Sequence, residues 1–149
     1  EEDVRVVFST GVKEVLTMFE EELKKYERKL RDKMSVVRLV GFNIRNFDNT
    51  FLRLKSIKHK LTWLASIFPT REQHGRIEDV MEMALVTTRL TVDKYVSMDK
   101  VSKFFGLEGK GDMDGSKVYD YYLEQRYEEI AQYCARDVET TRILYKLLK

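Results

Sequence analysis

The feature that most restricts the fold is a change of apolar period between residues 12 and 61. From Val12 the apolar positions fall at Val12, Val15, Leu16, Phe19, Leu23, Tyr26 and Leu30. That spacing predicts one long amphipathic helix with a single buried face. Val36-Val37-Arg38-Leu39-Val40-Gly41-Phe42 then runs almost continuously apolar, the pattern of a strand buried on both faces. After a turn around Asn46 to Asp48, helical spacing returns in Phe51, Leu52, Leu54, Ile57 and Leu61. Ahead of all this, Val4-Arg5-Val6-Val7-Phe8 is short and β-branched, which predicts a further strand. Ser9 or Thr10 is placed to cap the helix that follows. Strand, helix, strand, turn, helix implies an α/β sheet with helices packed on it.

Further along, Pro69 and Gly75 mark loops, and Arg76 to Ala84 is compatible with strand or helix. Ser97 is placed to cap a short helix with Met98, Val101, Phe104 and Phe105 inward. Gly106, Gly109, Gly111 and Gly115 crowd into a loop over residues 106–115. A second short helix is expected over Lys117 to Glu124. The last helix, Tyr127 to Leu148, would bury Ile130, Cys134, Val138, Thr141, Leu144, Tyr145 and Leu148.

The 149 residues are 43% hydrophobic and 35% charged, enough apolar material for one core and one domain over residues 1–149. No apolar run approaches the length of a membrane span, so an intracellular, cytoplasmic protein is expected. One cysteine, Cys134, excludes an internal disulfide framework and a Cys-rich zinc site. Formal net charge is +2, which neither requires nor forbids nucleic acid. The Glu/Lys/Arg-rich outer face of the first helix reads as solvated surface.

Several chemistries can be set aside. His59 and His74 stand alone, without a partner at metal-ligand spacing. Gly109-Lys110 lacks the following Ser or Thr of a phosphate-binding loop. Asp112-Met113-Asp114-Gly115 fails as a calcium loop because Lys110 and Tyr121 occupy the first and last ligand positions.

Two acid-bearing segments remain. Gly41-Phe42-Asn43-Ile44-Arg45-Asn46-Phe47-Asp48 runs from a strand into a turn and delivers Asp48 at the carboxyl edge of the sheet, where α/β sheets place their sites. By position alone, capping the following helix is the commoner role for an Asp here. In the other segment, Tyr133 and Asp137 are four residues apart on a helix and share a face at the edge of the buried stripe. An ordinary boundary tyrosine and surface aspartate fit that position too.

Taken together and in order, the two segments resemble motifs of DEDD-type 3′-5′ exonucleases. Asn43, three residues, then Phe47-Asp48 is similar to the second motif. Tyr133, three residues, Asp137, followed by Thr141 and Leu144-Tyr145, is similar to the third motif in its Tyr-containing form. Between them, Leu107 to Val118 looks like the loop of one branch, the predicted exonucleases related to the proofreading domain of family B DNA polymerases. The likeness covers about residues 12–148.

The resemblance implies a ribonuclease H-like fold, a mixed central sheet flanked by helices. It also implies two divalent ions, Mg²⁺ or Mn²⁺, held by four carboxylates; hard dications prefer oxygen ligands, and two of them can activate water and stabilise a leaving 3′-oxygen. Carried over residue by residue, Asp48, Tyr133 and Asp137 are catalytic, with Asp48 and Asp137 the metal ligands. Tyr133 would orient the attacking water, since a phenol ionising near pH ~10 is a poor base. Asn43, Phe47 and Lys110 would bind substrate, the first two shaping the 3′-end pocket by hydrogen bonding and stacking. The implied substrate is a single-stranded DNA 3′ end, with RNA second, and the implied partner a polymerase or another replication or repair protein.

The chain departs from the family in one respect. The first motif, Asp-x-Glu on the opening strand, has no counterpart on any apolar strand here. The expectation is therefore a domain lacking its N-terminal strands. The alternative is an inactive exonuclease-like module that binds nucleic acid or partner proteins.

Overall fold

The computed structural model describes residues 4–31, 37–70, 76–88, 95–107 and 115–149. They group into two compact units, Val7–Asp79 and Val80–Lys149 with the start of the chain.

In Val7–Asp79, helix α1 spans Val12–Arg31. Ser9 closes a turn at its entrance, where its Oγ accepts the Gly11 N–H at 3.0 Å and donates to Glu14 Oε2 at 2.5 Å. The predicted inner face is used from Leu16 on: Leu16 is buried with Leu64 and Phe68, and Phe19 and Leu23 pack against that cluster, whereas Val12 is exposed and Glu20, expected on the solvated face, is buried. Burying these side chains is worth roughly 1.5–3 kcal/mol each. Residues 4–9 take no regular structure and Val4, Val6 and Phe8 are exposed, which corrects the expected opening strand. β-branched content favours a strand only where a neighbour accepts its backbone hydrogen bonds, and among the described residues the sheet has two strands, both elsewhere.

Those strands are β1 (Leu39–Gly41) and β2 (Ile77–Asp79), paired in parallel with Leu39 opposite Ile77 and Gly41 opposite Asp79. The expected mixed central sheet is thus a small parallel one. The expected strand over 36–42 shortens to three residues, and Val40 is 38% exposed rather than buried on both faces. Val36 lies outside the described residues. A parallel pair needs a long crossover, supplied by α2 (Asp48–Lys58) and α3 (Thr62–Ile67).

Helix α2 turns a different face inward from the one its apolar residues suggest. Asn49 and Ser56 are buried, whereas Phe51, Leu54 and Ile57 are exposed. The end of α3 explains the choice. Its last carbonyls have no partner within the helix, and Arg53 Nη1 donates to the carbonyls of Ala65 and Phe68 at 2.8 and 2.7 Å. Asn49 Nδ2 donates to the Pro69 carbonyl at 3.0 Å.

In the second unit the ambiguous segment resolves into both structures, β2 running straight into α4 (Val80–Thr88). Ser97 caps α5 (Met98–Phe104), its Oγ accepting the Lys100 N–H at 3.3 Å. Val101 is buried as expected, but Phe104 is exposed. A 3-10 turn, Gly115–Lys117, leads into α6 (Val118–Leu123), and α7 spans Tyr127–Leu148. Helices α4, α5 and α6 all pack on α7. Thr141 and Leu144 are buried on α7, but Cys134 and Val138 are exposed. The expected inward face therefore holds at Thr141 and Leu144, with Ile130, Tyr145 and Leu148 half-buried, and fails at Cys134 and Val138. No helix among the described residues is long and apolar enough to cross a membrane.

Candidate functional site

The turn between β1 and α2 is built by close backbone approach. A Cβ placed on Gly41 would lie 2.8 Å from the Ile44 Cβ, so no larger residue fits there without displacing a buried side chain. Asn43 follows with φ +58°, a left-handed conformation that Asn tolerates better than most residues. Its side chain is engaged locally, Asn46 Nδ2 donating to Asn43 Oδ1 at 3.2 Å. The chain then winds into α2: the Phe47 N–H donates to the Asn43 carbonyl at 3.3 Å and the Asn49 N–H to the Ile44 carbonyl at 2.9 Å.

Asp48 is the first residue of α2, while Phe47 holds the cap position without a side-chain capping bond. Asp48 is therefore not the helix cap. Burial holds its carboxyl above the ordinary aspartate value, against its own backbone hydrogen bond, and the negative charge of Asp79 adds to the rise. Phe47 is 66% exposed, its ring parallel to that of Phe51 with centroids 6.3 Å apart. Lys55 Nζ sits 5.2 Å from the Phe51 centroid.

Asp79 was not among the expected site residues. It ends β2 at 2% exposure, and its two oxygens accept the N–H groups of Asn43 (2.9 Å) and Arg45 (3.0 Å). Arg45 Nη2 in turn donates to the Ile77 carbonyl at 2.8 Å. The sequence carried one signal for it, an acid two residues after Ile77 and directly before the apolar Val80-Met81.

In the second unit Tyr133 and Asp137 share one half-buried face of α7. The 3-10 turn lies against that face; a Cβ on Gly115 would stand 3.7 Å from the Tyr133 hydroxyl, an ordinary contact. Thr141 Oγ1 donates to the Asp137 carbonyl at 2.8 Å, leaving the carboxylate out of that bond. Asn43, Phe47 and Asp48 thus belong to one unit, and Tyr133 and Asp137 to the other. Lys110 lies outside the described residues.

Among the described residues no group of three or more His, Cys, Asp and Glu side chains is placed to hold a metal ion. The donors fit a hard dication in kind. Asp48 offers carboxylate oxygens whose charge is disfavoured by burial and by Asp79, and a cation would relieve both. The described carboxylates can serve as part of a larger ligand set.

The family model for predicted 3′-5′ exonucleases related to the exonuclease domain of PolB matches residues 8–149. No curated protein and no solved structure matches the chain significantly. The match takes in the Gly41–Asp48 turn, the 3-10 turn and the whole of α7, so the chain belongs to the family of predicted 3′-5′ exonucleases related to the exonuclease domain of PolB.

Proposed function

We propose that this domain serves a metal-dependent 3′-5′ exonuclease that trims single-stranded DNA ends in proofreading or repair. The observation that carries the reading is Asp48, a half-buried acid set past the carboxyl end of β1 at the start of α2, with its charge disfavoured by burial and by Asp79. Asp48 and Asp137 are the residues that would hold Mg²⁺ or Mn²⁺. When bound, such ions neutralise the scissile phosphate and stabilise the leaving 3′-oxygen. Tyr133 orients the attacking water through its hydroxyl. Phe47, exposed beside Phe51, offers a ring on which the terminal base stacks, an interaction of about 1–3 kcal/mol per base. Asn43 hydrogen-bonds the same end, and Lys110 approaches its phosphates. RNA is the second substrate class, and a polymerase or another replication or repair protein is the partner class, in an intracellular setting.

A second reading is favoured by one observation: the described residues assemble no three-ligand cluster, and the sequence has no Asp-x-Glu pair on an apolar strand. It is an exonuclease-like module that binds nucleic acid or a partner protein without hydrolysis. A 5′-labelled single strand, incubated with Mn²⁺ or with EDTA, separates the two. The 149 residues by themselves are expected to give no measurable shortening, having two of the four carboxylates. The full-length natural chain that carries them is expected to shorten the strand from its 3′ end, in an EDTA-sensitive way that Asp48→Asn abolishes. Shortening that survives EDTA or Asp48→Asn refutes the proposal; a folded full-length chain that binds the strand without cutting it supports the second reading.

A further inference from the structure

We infer that Asp79 is a positioning residue, whose buried carboxylate holds the left-handed turn Asn43–Arg45 and thereby aims Asp48. The inference rests on the nuclease reading of Asp48. Alternating backbone N–H groups beside a left-handed residue form a concavity that binds an anion. Here the anion is built in. Asp79 Oδ1 takes the Asn43 N–H and Oδ2 the Arg45 N–H, at 2.9 and 3.0 Å. Asp79 is held for this task by strand pairing, since it stands opposite Gly41 in the parallel register. Arg45 ties the turn back to the other end of β2 through the Ile77 carbonyl. Both carboxylate oxygens are thus engaged by the turn.

The turn passes its geometry on without slack. The carbonyls of Asn43 and Ile44 accept the N–H groups of Phe47 and Asn49, the two neighbours of Asp48. A shift at residues 43–45 therefore moves the start of α2. An amide at position 79 presents one acceptor and one donor, so Asp79→Asn leaves one of the two N–H groups facing another donor. Groups that orient a metal ligand in this way typically change metal affinity by about 10–100-fold when replaced.

The test uses the ¹⁵N-labelled full chain titrated with Mn²⁺ alone, reading paramagnetic broadening at the amides of Asp48 and Asn49. Asp79→Asn is expected to raise the Mn²⁺ midpoint about 10–100-fold. Leu64→Ala, which opens a cavity in the core cluster, should lower Tm and leave the midpoint unchanged. Asn43→Gly placed in the Asp79→Asn background should recover part of the affinity, because glycine adopts positive φ unaided. An Asp79→Asn midpoint within about twofold of the parent, or no recovery by Asn43→Gly, overturns the inference. If Asp79→Asn does not fold, hydrogen exchange in the parent decides: Asn43 and Arg45 amides that exchange as fast as unbonded ones overturn it, and protected ones support it. The two levels separate cleanly. Parent broadening that is absent, or indifferent to Asp48→Asn, sinks the nuclease reading and this inference with it. Broadening lost in Asp48→Asn but kept in Asp79→Asn sinks the inference alone.

Discussion

The two acid-bearing regions differ in construction. The Gly41–Asp48 turn depends on tertiary contacts: a glycine pressed against Ile44, a left-handed Asn43, and a buried carboxylate from a strand 36 residues away in sequence. The Tyr133–Asp137 pair is brought together by helix periodicity, four residues apart on the 22-residue α7. The first region should be fragile toward changes that never touch the acid itself. The second should tolerate its surroundings and respond only to loss of the functional groups.

The largest effect should not distinguish them. If Asp48 and Asp137 hold the same ions, Asp48→Asn and Asp137→Asn should each lower turnover of the full-length chain on a single-stranded oligonucleotide by about a thousandfold or more. Losing such a ligand forfeits several kcal/mol, and each 1.36 kcal/mol is tenfold in rate. Rates that differ widely between the two variants would break the equivalence. Tyr133→Phe comes next, with a fall in turnover of about a hundredfold, in line with the loss expected when a reactant is no longer held in position. Its oligonucleotide affinity should match the parent's, and equal turnover of variant and parent would remove Tyr133 from the mechanism.

Stability should separate the regions. Gly41→Ala forces a Cβ to within 2.8 Å of Ile44, and overpacking of this kind costs about 1–3 kcal/mol, or a fall in Tm of roughly 2–10 °C at this chain length. Gly115→Ala meets the Tyr133 hydroxyl at 3.7 Å and should stay within about 0.5 kcal/mol. Equal melting shifts for the two glycines would contradict the contrast.

The division between what sequence revealed and what it hid follows the same line. The bounds of helix α7 were legible to the residue because helical spacing persists over 22 positions, and α1 was legible for the same reason. The Gly41–Asp48 segment was legible as strand, turn and acid, since those are local. Its supports were not. Asp79 belongs to a segment whose local pattern fits strand and helix alike, and only the pairing of β1 with β2 brings its carboxylate to the turn. The outward apolar face of α2 was hidden too, because the demand of the α3 and Pro69 carbonyls for Asn49 and Arg53 is a tertiary matter. Cys134 and Val138 were placed inside because apolar character was read ahead of position. In α7 the half-buried Tyr133 and Asp137 and the buried Thr141 share the inner stripe, so polar side chains line it.

The smallest effect concerns the acidity of Asp48. Its folded-state proton affinity exceeds the unfolded one, so the folded form binds more protons just above the ordinary aspartate value of 3.8. Stability contributed at this residue therefore falls as pH rises from that value through the raised one, and the penalty is complete at neutral pH. Asp48→Asn should accordingly raise Tm slightly at pH 7, by about 1–2 °C, with the gain vanishing as the pH drops below the ordinary value. A lower Tm for Asp48→Asn at neutral pH would mean that its charge is already compensated without a cation.

The metal-dependent reading requires that the two regions serve one reaction. Turnover of the full-length chain on a 5′-labelled single strand, with Asp48→Asn, Asp137→Asn and the double variant, measures this directly. Groups that act as a unit are strongly non-additive. The prediction is a double variant no slower than the worse single one. Losses that multiply would show that Asp48 and Asp137 act independently, and the reading of both as ligands in one reaction would have to be abandoned.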